Sequence, residues 1–260
     1  MKRPRPHVFM ICLSLVAAAC QATPTAVADG FCDAAINAQL AVAQGPDVDF
    51  ETATEEDINT ALGEFAARVN PLLDDVEANA PEDLQGEVAT VVENTRTAME
   101  TGDEAALESE EYQQAELAVG QFVVDNCDIQ SYTVEGFDYG YSNLPASAQA
   151  GRVAFVFDNT GEELHEMIIF KINDESLTVE QLLEMPEEEA MTQVTFTGAG
   201  FAEVGGEDIV FADLEAGRYA VVCFIPVGTK SFEDLPEDDS EATQPPHFTQ
   251  GMVAEFSVEG

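Results

Sequence analysis

The sequence predicts a mixed, two-part architecture: an α-helical bundle over residues 31–128, then an all-β sandwich or barrel over 129–260. Three observations predict it. Apolar residues recur at helical spacing through the first part. From Ile129 the texture changes to short β-branched and aromatic runs separated by turn residues. The 260 residues are 45% hydrophobic and 8% aromatic, enough for a packed core in one large or two small domains.

The chain opens with a basic end, Lys2, Arg3 and Arg5, followed by an apolar run from Val8 to Ala19. The small residues Ala17, Ala18 and Ala19 precede Cys20. This is the pattern of a secretory signal over 1–19, with an apolar run too short to span a bilayer. Ala17-Ala18-Ala19-Cys20 resembles a bacterial lipobox, in which the cysteine is lipidated and becomes the mature N-terminus, although that family usually has Leu, Val or Ile where Ala17 stands. The resemblance implies an exported protein, lipid-anchored through Cys20 at the outer face of the cell membrane, with residues 20–30 as a linker. Ordinary cleavage after Ala19 is the alternative, and it gives a soluble secreted or periplasmic protein. Either route leads to an oxidising compartment, where disulfides persist.

In the helical part, Cys32, Ala35, Ile36 and Leu40 suggest a short first helix. Thr54-Glu55-Glu56-Asp57 reads as a capping-box start. Ile58, Leu62, Phe65, Val69, Leu72 and Val76 continue it, with Pro71 placed to kink the helix or end it early. Leu84, Val88, Val91, Val92, Thr95 and Met99 form another stripe, stopped by Gly102. Tyr112, Ala115, Val119, Phe122 and Val123 form the last. Four amphipathic helices with short connections make a bundle. It contains no histidine, and its carboxylates read as solvated faces, so a spacer or contact module is the expectation.

Of five cysteines, Cys12 lies in the leader and Cys20 is the candidate lipid site. Cys32 and Cys127 bracket the helical segment and are the natural disulfide pair. Cys223 is then left over, either buried as a small hydrophobe or serving as a ligand or nucleophile.

The β part shows runs at 132–134, 153–157, 167–172, 194–197, 209–212, 219–225 and 252–258, with one helical interruption at 179–185. The domain boundary falls near Asp128. The leader removed, the chain holds two histidines, His165 and His247, both in this part with Cys223; Met252 follows His247. Two imidazoles, a thiolate and a thioether form the ligand set of a blue-copper site: the sulfur donors suit Cu(I), and imidazole suits both redox states.

These residues stand in strings that resemble the cupredoxin family. Phe155-Val156-Phe157-Asp158-Asn159-Thr160-Gly161-Glu162-Glu163-Leu164-His165 looks like the family's strand, Asn-containing turn and first histidine. Leu214-Glu215-Ala216-Gly217-Arg218-Tyr219-Ala220-Val221-Val222-Cys223 looks like its strand running into the ligand cysteine. His247-Phe248-Thr249-Gln250-Gly251-Met252, followed by Val253 to Val258, looks like the second histidine, axial methionine and last strand. The resemblance covers about half the chain. It implies an eight-stranded Greek-key sandwich binding one type 1 copper ion through His165, Cys223, His247 and Met252, for electron transfer or copper holding rather than catalysis. Small cupredoxins keep cysteine and second histidine on one tight loop; here 23 residues separate them. A long loop adds only modest closure entropy if its ends stay close, and Pro245-Pro246 is placed to stiffen the return. Zinc also suits two histidines and a cysteine. A metal-free domain of this kind, contacting a cell-envelope partner, is the alternative.

Charge narrows the partners. Against 9 Lys+Arg stand 51 Asp+Glu, a formal net charge of −42. Without the basic leader, six basic residues oppose the same 51 acids, leaving −45. Such a surface repels phosphate backbones and anionic headgroups, which excludes nucleic acid as a partner and leaves the lipid anchor as the only membrane contact. The insert between Cys223 and His247 carries Glu233, Asp234, Glu237, Asp238, Asp239 and Glu241. Near a metal mouth these would steer a basic redox partner; as a solvated loop they would do nothing. No phosphate-cradling glycine motif is present, and two histidines are too few for the extra copper sites of an oxidase.

Overall fold

The computed structural model describes residues 30–49, 52–102, 104–107, 109–235 and 243–260. The expected signal segment 1–19, Cys20 and the acids Glu237, Asp238, Asp239 and Glu241 of the insert lie outside the described residues. Among the described residues, no helix is long and apolar enough to cross a membrane.

Helix α1 spans Phe31–Ala43 and buries Phe31, Ala34, Ala35, Ile36 and Ala38. Helix α2, Glu55–Asn79, starts at the capping box read from the sequence: Asp57 N–H donates to Thr54 Oγ1 at 3.2 Å, and Thr54 N–H donates to Asp57 Oδ2 at 3.2 Å. Pro71 does not end α2. It lies on the exposed side, while Phe65, Val69, Leu73 and Val76 pack inward on both sides of it and carry the helix to Asn79. Helix α3, Gln85–Thr101, stops at Gly102, whose φ of 67° is the left-handed conformation a helix end favours. Helix α4, Glu110–Asn126, is capped by Ser109. The Cys32–Cys127 disulfide ties the start of α1 to the end of α4.

Nine strands, rather than eight, build two sheets among the described residues. Strands β1 (Gln130–Phe137), β2 (Gly140–Ser142), β4 (Gly151–Asn159) and β7 (Glu207–Leu214) form one, in the order β2-β1-β4-β7. Strands β3 (Ser147–Gln149), β5 (His165–Ile172), β6 (Val194–Ala202), β8 (Gly217–Val222) and β9 (Val253–Glu259) form the other, in the order β3-β9-β8-β5-β6. β1 runs parallel to β4 and β3 parallel to β9; the other pairs are antiparallel. Each apolar run read from the sequence falls within or beside a strand. β2 and β3, three residues each, are too short to carry a period in the sequence. The expected helix appears as α5, Val179–Glu184, joined by a second, α6, Glu187–Gln193, whose first turn holds three glutamates that favour a helix N-terminus.

Strand alternation sorts the core into layers. Val153, Phe155 and Phe157 of β4, with Val210, Ala212 and Leu214 of β7, meet Met167, Ile169, Tyr219, Val221 and Phe256 of the facing sheet. The residues between them, Ala154, Val156, Ile209 and Phe211, point outward into the helices and share one core with Phe31, Val69, Val92 and Val123. The helical part is thus a third layer on the sandwich. On the opposite outer face, α5 covers Ile172, Ala220 and Val222.

Candidate metal centre

The four residues singled out from the sequence lie at one end of the sandwich. His165 is the first residue of β5, Cys223 follows the last residue of β8, and His247 opens a 3-10 turn that leads through Met252 into β9. All four are fully buried. Met252 packs with Leu164, Cys223 and Ile225, and its carbonyl accepts from Cys223 N–H at 3.3 Å.

The long connection between Cys223 and His247 is closed at its neck. Val227 N–H donates to the Pro245 carbonyl at 3.0 Å, and His247 N–H to the Ile225 carbonyl at 2.8 Å. Phe248 N–H reaches the Cys223 carbonyl at 2.9 Å, and Pro226 bridges Pro246. These bonds hold Cys223 Sγ 3.3 Å from His247 Nδ1 across the insert. Beyond the neck the chain folds back over the site: Leu164 N–H donates to the Thr229 carbonyl at 2.8 Å, and Phe232 and Leu235 pack on the cluster.

His165 is set by the turn before it. Asn159, almost fully buried, donates through Nδ2 to the carbonyls of Glu163 and Ala202 and accepts from Gly161 N–H. This clamp fixes where β5 begins.

One donor atom from each of His165, Cys223 and His247 falls within 4.8 Å of the others. His165 Nδ1 lies 3.2 Å from His247 Nδ1, and Cys223 Sγ lies 3.3 Å from His247 Nδ1. Each outer nitrogen meets a carboxylate: His165 Nε2 lies 2.7 Å from Asp138 Oδ1, and His247 Nε2 lies 3.0 Å from Glu163 Oε2. An ionised carboxylate only accepts, so each Nε2 carries the proton and each Nδ1 presents a lone pair inward.

Burial holds both histidines below their ordinary value, outweighing Asp138 for His165 and Glu163 for His247, so both are neutral at neutral pH. Burial, with the nearby Glu166 charge, pushes the Cys223 thiol up to about 12. Burial also raises Glu163, but hydrogen bonds from Gly228 N–H, Tyr139 and His247 outweigh it and hold that carboxyl low.

The donor set fits a metal ion. Two lone pairs face each other at 3.2 Å with only the thiol proton nearby to satisfy them. His165, Cys223 and His247 would hold a soft cation through these three donors, with the thiol proton given up to solvent. Asp138, Glu163 and Glu166 were not found by sequence reasoning. Among 51 acids nothing marks them, and their partners stand far away in the chain. Glu233 and Asp234 lie in the 3-10 turn 232–234, beside the Phe232 that covers the site.

No protein-family model and no curated protein matches this chain. Solved structures are similar to its C-terminal half. Reduced auracyanin from the photosynthetic bacterium Roseiflexus castenholzii matches 50% of this chain and 98% of its own, at 16% identity and a TM-score of 0.33. Rusticyanin from Thiobacillus ferrooxidans matches 50% of this chain and 76% of its own, at 15% identity and a TM-score of 0.30. A blue copper oxidase from Nitrosomonas europaea matches 52% of this chain and 45% of its own, at 9% identity and a TM-score of 0.28.

Proposed function

We propose that this chain is an exported copper protein of the cupredoxin kind. It holds one type 1 copper ion through His165, Cys223, His247 and Met252, and it carries electrons or stores copper at the cell surface. The observation that carries the reading is the convergence of three buried donors, Nδ1, Sγ and Nδ1, within 4.8 Å of one another. Bound copper would supply a one-electron couple. The chain's own residues hold the donors in place, bury them away from water and present both imidazoles by the same nitrogen. Export accords with the Cys32–Cys127 disulfide, which an oxidising compartment preserves. Lipidation of Cys20 would tether the protein, and the acidic surface favours a basic redox partner. A carrier is favoured over an oxidase because the whole chain has only three histidines.

The test is titration of the purified mature protein with Cu(II), recording the visible spectrum. An intense thiolate-to-copper band at one equivalent, absent in Cys223→Ser, is the expected result. No band, with both histidines still free to titrate, overturns the copper reading and leaves a metal-free binding module. A tight colourless complex with Zn(II) that Cu(II) does not displace makes it a zinc site.

A further inference from the structure

We infer that Asp138 and Glu163 are the positioning residues of this centre, and that their charge biases it toward the oxidised ion. The inference rests on the copper reading. Each carboxylate takes the outer N–H of one histidine, Asp138 that of His165 at 2.7 Å and Glu163 that of His247 at 3.0 Å.

Each is also held in place by bonds that do not involve a ligand. Asp138 accepts from Glu162 N–H with both oxygens, at 3.1 and 3.0 Å. Glu163 accepts from the Tyr139 hydroxyl at 2.9 Å and from Gly228 N–H. The Tyr139 ring packs against the His247 ring, with centroids 4.8 Å apart. The carboxylates are therefore set before a metal arrives, and Glu163 pins the long Cys223–His247 connection to the site by its bond to Gly228.

A buried imidazole N–H needs only one acceptor, and a backbone carbonyl would satisfy it. Two carboxylates, in a chain whose formal charge is already −42, do more than satisfy it. Hydrogen bonding to a carboxylate raises the basicity of the ligating nitrogen and fixes its tautomer. Both charges favour the ion of higher charge, so Cu(II) gains more than Cu(I) and the reduction potential falls.

The experiment uses the mature chain with Glu163→Gln, with Asp138→Asn, and with both. Three readouts are compared with wild type: the Cu(II) dissociation constant, the midpoint potential by spectroelectrochemical titration, and the histidine tautomers of the metal-free protein by nitrogen-15 NMR. Each single variant is expected to weaken Cu(II) binding roughly 10- to 100-fold. Cu(I), with one charge fewer, loses less, so the midpoint potential rises by up to about 60–120 mV, at 59 mV per tenfold difference between the two ions for one electron. The wild-type histidines are expected wholly in the Nε2–H form, and the variants in mixed forms. Unmoved potentials in both single variants, with the copper band retained, overturn the inference while leaving the copper reading intact. A wild type without a copper band overturns the copper reading. Positioning is then decided by NMR alone, and wild-type histidines protonated on Nδ1 overturn that as well.

Discussion

Gly161 faces the histidine–carboxylate pair at a distance that leaves no room for a methyl group. A Cβ built there lies 2.5 Å from His165 Nε2, and closer still to Asp138 Oδ1, where ordinary contact begins at 3.4 Å. In Gly161→Ala, nearly 1 Å of movement must come from the ring, the carboxylate or the turn. The ring cannot supply it, because His165 is fully buried and His247 stands 3.2 Å behind it. The turn is clamped by Asn159, which accepts from Gly161 N–H at 2.9 Å. Asp138 must swing out, which breaks its bond to His165 and leaves a buried N–H unpaired. Overpacking and the lost bond together cost about 2–4 kcal/mol. In urea denaturation of the metal-free protein, with m near 2 kcal/mol/M, the midpoint falls about 1–2 M at unchanged m. Gly63→Ala is the control. It sits inside α2 with open space around it, and it should gain about 0.5–1 kcal/mol. A Gly161→Ala midpoint equal to wild type, with His165 still protonated on Nε2 by NMR, would refute the reasoning.

Three further results are expected. Burial, aided by the Asp208 charge, raises Glu116 from 4.5 to about 7, so its contribution to stability is present below pH 4.5 and lost as pH rises through 7. That loss is at most about 3 kcal/mol at pH 8. Glu116→Gln should be the more stable protein at pH 8, with a flatter stability curve between pH 5 and 8; parallel curves by thermal melting would contradict this. Replacing Cys32 and Cys127 together by serine removes a cross-link between residues 95 apart and should cost about 4–5 kcal/mol of unfolding free energy in the oxidised protein. Met252→Leu keeps the volume of a fully buried side chain, so metal-free stability should change by less than about 1.5 kcal/mol. The copper-loaded protein should show a shifted visible band and a higher potential, and an unchanged spectrum would remove Met252 from the ligand set.

The candidate site was legible where residues are scarce. His165, His247 and the Cys223 left over from the disulfide can be paired with few roles, and all three meet at one end of the sandwich. The carboxylates that orient them were not legible. Asp138 and Glu163 look like the rest of the 51 acids until the fold sets Asp138 beside His165, 27 residues on, and Glu163 beside His247, 84 residues on. The 23-residue insert after Cys223 departs from the tight loop of the family the sequence resembles, and the sequence leaves open how its ends meet. The pairing of residues 225–227 with 245–247 brings those ends together, and such pairing leaves no local periodicity to read.

By itself the sequence determined the element types, because helical and strand periods, the Thr54 cap and the Gly102 stop act within a few residues. It also determined the disulfide pair and the surface charge. The run from Val153 to Phe157 was legible as a strand, and the structure buries it on both faces. Only the tertiary structure decided what covers the second face: α1 and α4, docked on Ala154, Val156, Ile209 and Phe211. It alone decided, too, that His165 and His247 each lean on a carboxylate. Both outcomes depend on contacts between residues distant in the chain, which closure of the sandwich creates and no local pattern encodes.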